Sequence, residues 1–182
     1  VAHAAVDHDP GPGVVAGEIG LHLLHGLVLA ALERRDDAIE AFNRELRTPD
    51  RGQIHSRQCV ANTWYALGAV QQRRGDIRAA NMAFERALHI APGHLICMAA
   101  LGRPIPDLDP KDPRSVDASV ARAVFQTRAG RHAAAGNTYR TLLASSHVAN
   151  AGWMLPVEPI LHVTAHPDVW SDLLTVVQQR AI

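Results

Sequence analysis

The chain has 182 residues with 18 basic and 18 acidic side chains, so it carries no basic excess for a nucleic-acid backbone or an anionic membrane surface. Apolar residues are 47% of it and aromatics only 4%, an Ala-, Leu- and Val-rich mixture that packed helices favour over strands. The longest apolar run, Ile19 to Leu32, contains His22 and His25 and at fourteen residues is too short for a bilayer. Lys111 is the only lysine, an arginine bias that reads as a GC-rich, bacterial genome. Cys59 and Cys97, without metal spacing, read as small buried hydrophobes of a reducing cytoplasm.

Residues 1–16 hold Asp7, Asp9, Pro10, Gly11, Pro12 and Gly13 and are expected to form a flexible lead-in to one helical domain, 17–182. From Gly17 to Leu46 the pattern predicts helix, polar turn (Glu33 to Asp36) and helix. Residues 61–94 repeat this plan. Trp64, Leu67, Gly68 and Gln71 share one helix face, Gly75 and Asp76 supply a stop and an N-cap, and Ala80, Phe84, Ala87 and Leu88 share the face of a second helix that Pro92 closes. An extra segment, roughly Gly52 to Gln58, is expected between the two pairs. Met98, Leu101 and Gly102 begin another first helix, which Pro104, Pro106, Pro110 and Pro113 interrupt with a loop over 103–115. A looser hairpin follows with Gly130, Ala135, Tyr139, Leu142 and Leu143. In the last part, 153–182, Trp153, Pro156 and Pro159 predict extended chain, and Pro167 with Asp168 opens a final helix.

Trp64, Leu67, Gly68, Gly75, Ala80, Phe84, Ala87 and Pro92 resemble the tetratricopeptide-repeat signature at its spacing over a 34-residue unit, with Gln71 in place of the usual aromatic. On the same offsets, 19–52 looks like a degenerate repeat, with His22, His25 and Glu33 where Trp, Leu and Gly are commoner, and 116–149 a looser one. The resemblance implies an all-α fold of antiparallel helical hairpins stacked as a right-handed superhelix, with 153–182 as a C-terminal cap. It also implies a concave groove for a peptide or helix of a partner protein, lined in the central repeat by Asn62, Tyr65, Ala69, Gln72 and Arg73. Tyr65 and Arg73 are expected to anchor that partner while standing off the packing face. Arg128 joins them through the arginines that recur at the hairpin turns. The chaperone-tail-binding branch of the family is not implied, since Leu23, Leu24, Leu27, Tyr65, Ala66 and Ala69 stand where its Lys and Asn are needed. The matching groove places of the first repeat, Gly20, Leu23, Leu27, Ala30 and Ala31, make its first helix apolar on nearly every side; it is expected to be buried all round, under the chain's own ends or a partner.

No residue pattern argues for catalysis. His22 with His25, and His162 with His166, have metal spacing but lack a following Glu or a neighbouring Cys, so they read as surface or packing histidines, and no metal or other cofactor is expected. Gly11 and Gly13 precede neither a strand nor a GK[ST] element. The expected function is therefore protein binding, with a regulatory or sensor segment of a larger signalling protein as the alternative.

Overall fold

The computed structural model describes residues 20–47, 54–109, 111–145 and 154–180, and these are all-helical. The elements are α1 (Leu21–Ala31), α2 (Arg35–Arg47), α3 (Ile54–Arg73), α4 (Ile77–Ile90), α5 (Leu95–Ala100), α6 (Ser115–Arg128), α7 (His132–Ser145) and α8 (Pro167–Arg180), with single 3-10 turns at Leu155–Val157 and Val163–Ala165. The expected lead-in, 1–16, lies outside the described residues.

Three helix pairs, α1–α2, α3–α4 and α6–α7, fold back across tight turns, and each turn has a visible cause. Gly75 ends α3 at φ 85°, Asp76 N–H returns to Gln71 O at 3.0 Å, and the Asp76 carboxylate caps α4 by accepting from Ala79 N–H at 2.9 Å. Gly130, at φ 71°, ends α6 in the same way. In the first turn the left-handed position is held by Glu33 at φ 62°, which costs a residue with a Cβ on the order of 1 kcal/mol. Its carboxylate is fixed by Arg35, Arg73 and His162, which offsets that strain.

The small residues sit where the helices touch. A Cβ on Gly68 would fall 2.6 Å from Phe84 Cε1, and one on Gly26, forty-two positions earlier, would meet Phe42 more closely still. Phe42, Phe84, Ala38 and Ala80 are all buried, so the first and central pairs share one internal design. Two apolar clusters meet at α3: Ala66, Leu67 and Val70 pack with α1 and α2, whereas Tyr65 and Ala69 pack with α4 to α8. α8 closes on α7 through the edge-on pair Tyr139–Trp170, centroids 5.8 Å apart, and through Val169 against Gly136.

From Ile54 on, the extra segment expected between the first two pairs, roughly Gly52 to Gln58, is part of α3; no Gly or Pro between Gln53 and Leu67 stops the helix from extending upstream. One expectation needs correction: α1 is not buried all round. Leu27, Leu29 and Ala30 are buried, but Leu21, Leu24, Val28 and Leu32 form an outer stripe that is 41–64% exposed. The face of α3 that corresponds to this stripe is covered by α1 and α2, and among the described residues no preceding pair does the same for α1. The N-terminus of α1 is instead satisfied from below: the buried Glu45 carboxylate accepts from Gly20, His22 and Leu23 N–H at 2.7–3.2 Å.

Candidate functional site

The side of α3 expected to receive a partner is already engaged. Tyr65 is 4% exposed and Ala69 fully buried: both belong to the apolar cluster that also takes in Leu155, Ile160, Leu161 and Val163, and the Tyr65 ring lies 5.9 Å from that of Phe84 and 6.0 Å from that of His94. Tyr65 and Ala69 therefore belong to the packing of the chain, contrary to their expected place on an open groove, since the ring is enclosed by Phe84, His94 and Glu158 and the methyl group lies in the same apolar cluster. Asn62 is tied to α5: its Oδ1 accepts from His94 Nε2 at 2.8 Å. Arg73 reaches Ala30 O at 3.4 Å and pairs with Glu33, so its guanidinium bridges two helix pairs. Gln72 is half-buried with its Oε1 unpartnered, and Arg128 is exposed without an ion pair among the described residues. The structure thus gathers Tyr65 and Ala69 in one apolar cluster and draws Asn62 and Arg73 into neighbouring contacts.

The segment 154–163 carries one charge among apolar residues, Glu158, and it is buried. Its Oε1 accepts from Tyr65 O–H at 2.5 Å and from Ile160 N–H at 2.9 Å, while Oε2 has no hydrogen bond. Burial pushes the carboxyl up to about 7, against the opposing pull of these two donors. Burial and the nearby Glu158 carboxyl raise Tyr65 well above the usual phenol range and move Tyr139 the same way. A second tie lies four residues on, where His162 Nε2 meets Glu33 Oε1 at 2.9 Å, beside Arg73. Glu158 was missed from the sequence; the available signal was a lone carboxylate inside Leu155-Pro156-Val157-Glu158-Pro159-Ile160-Leu161, a run otherwise apolar enough to be buried.

The histidine pairs go separate ways. His162 is held by Glu33, and His166 stacks on His132 with centroids 3.7 Å apart. His94 accepts from Cys97 N–H at 3.3 Å through Nδ1, and burial takes it down to about 4, so it stays neutral. Both thiols are free and buried; burial raises Cys59 to about 11 and Cys97 further. Among the described residues no three His, Cys, Asp or Glu side chains converge, and no helix is long and apolar enough to cross a membrane. No family model, curated protein or solved structure matches the chain.

Proposed function

We propose that this protein is a protein-interaction module of the tetratricopeptide kind, a short right-handed stack of hairpins with α8 as its cap, and that it does not catalyse a reaction. In this reading the α3 surface that takes a partner's peptide or helix is held closed by the chain's own residues 154–163. One observation carries it: Tyr65, from the family's groove-lining places, already holds a non-helical stretch of the chain, between the 3-10 turns at Leu155–Val157 and Val163–Ala165, through the acid of Glu158. The raised thiols support binding rather than nucleophilic chemistry.

The regulatory alternative has its own support in Glu158, an acid whose protonation changes near neutrality inside that closure. The test uses a fluorescent peptide of residues 154–163 and the Glu158→Lys chain, in which a buried cation loosens the native segment. The expected outcome is binding to Glu158→Lys, little binding to the parent chain, and loss of binding when Tyr65→Phe is added. Hydrogen exchange on the parent chain is the companion measurement: residues 154–163 should open more readily than α3 and α4. Exchange as slow as in α3, together with no peptide binding, would remove the proposal.

A further inference from the structure

The outer side of the central pair departs from its counterpart in the first. Each pair leaves a trough between its two helices on the side away from the main cluster, bounded by positions forty-two residues apart. In the first pair the walls are ionic, with Arg44 on Glu40 and Arg34 on Asp37. In the central pair Met82 stands for Glu40, Ala79 for Asp37 and Leu67 for His25, so the same backbone geometry presents an apolar floor. The fold does not require this, since the first pair folds with charges there. Met82 is 62% exposed, and Trp64 is only half-buried, its ring lying 5.9 Å from the Arg86 guanidinium carbon.

The rim of this trough is positive. Glu85 is taken by Arg103, and among the described residues no carboxylate pairs with Arg78 or Arg86. A trough between two packed helices accepts the ridge of a third, and two unpaired guanidinium groups beside it select for carboxylates. We propose that the α3–α4 trough docks an amphipathic helix of a partner protein, its apolar side chains seated between Trp64 and Met82 and its acidic side chains meeting Arg78 and Arg86. A second copy is the poorer occupant, because the exposed apolar stripe of this chain lies on α1, which has no acidic residue. The surface is separate from the Tyr65 side, so it stands whether or not residues 154–163 release.

The experiment displays a library of 18-residue helical peptides, selects on the full chain and counter-selects on Met82→Glu, an exposed substitution. The expected winners carry an apolar face flanked by Asp and Glu. They should bind Met82→Glu and, independently, Arg86→Glu at least tenfold more weakly, with thermal midpoints unchanged. Winners flanked by Lys or Arg, or binders that do not discriminate the variants, would overturn the proposal. So would concentration-dependent dimerisation of the parent chain in sedimentation that Met82→Glu abolishes, since the trough would then belong to a second copy.

Discussion

Trp64 and Tyr65 are neighbours on α3 and meet opposite circumstances. Tyr65 turns into the buried cluster of the chain, held by an acid that burial pushes up to about 7. Trp64 borders a trough, with the Arg86 guanidinium carbon 5.9 Å from its ring. The aromatic expected to be a free anchor is structural, and the one on the helix face shared with Leu67 and Gly68 is partly open. An aromatic beside an arginine on a helix face therefore says little about binding until the segment that lies across it is known.

The contrast is broken most severely by Tyr65→Ala. It removes a buried ring and one of the two donors to Glu158, so the loss expected in urea unfolding is roughly 3–5 kcal/mol. A loss below about 1 kcal/mol would mean that residues 154–163 do not close this surface in solution.

A smaller effect separates charge from packing. Glu158 titrates near 7 in the folded chain and near 4.5 when exposed, so the unfolded state releases its proton first as pH rises. The stability contribution of this group is fully present below about 4.5, falls through the window to about 7, and ends lower by on the order of 3 kcal/mol. His94 works against it: held down to about 4, it takes away stability as pH falls below its usual 6.5. The difference between the parent chain and Glu158→Gln isolates the acid. Unfolding at pH 5 and pH 8 should find the variant similar at the lower pH and more stable at the higher, and a difference that does not change with pH would refute the buried acid.

The helix pairs were legible in the sequence because their causes are local: Gly75 and Asp76 make a turn, Gly68 and Phe84 set a close approach, and prolines punctuate 103–115. The extent of α3 was not, since nothing in Ile54 to Gln58 forbids either helix or loop. What covers Tyr65 was illegible for a different reason. The contact with Glu158 spans ninety-three residues, and no periodicity in α3 encodes a partner that arrives from a non-helical stretch so far along the chain. The open trough was half-legible: aligning Met82 with Glu40 exposes the change of character, but only the packing of α1 and α2 tells that this side of α3 and α4 remains uncovered among the described residues.

The gentlest prediction concerns that side. Met82→Glu places a carboxylate four residues before Arg86, just as Glu40 stands four before Arg44 in the first pair. The methionine side chain is mostly in solvent, so removing it forfeits little burial, and the new pair on an exposed helix contributes about 0.3–0.5 kcal/mol. The net change in thermal or urea unfolding should therefore lie between neutral and slightly stabilising, and the gain should shrink in high salt as the pair is screened. A loss of more than about 1 kcal/mol would show that Met82 is packed by the chain itself, which would close the trough as surely as residues 154–163 close the other side of α3.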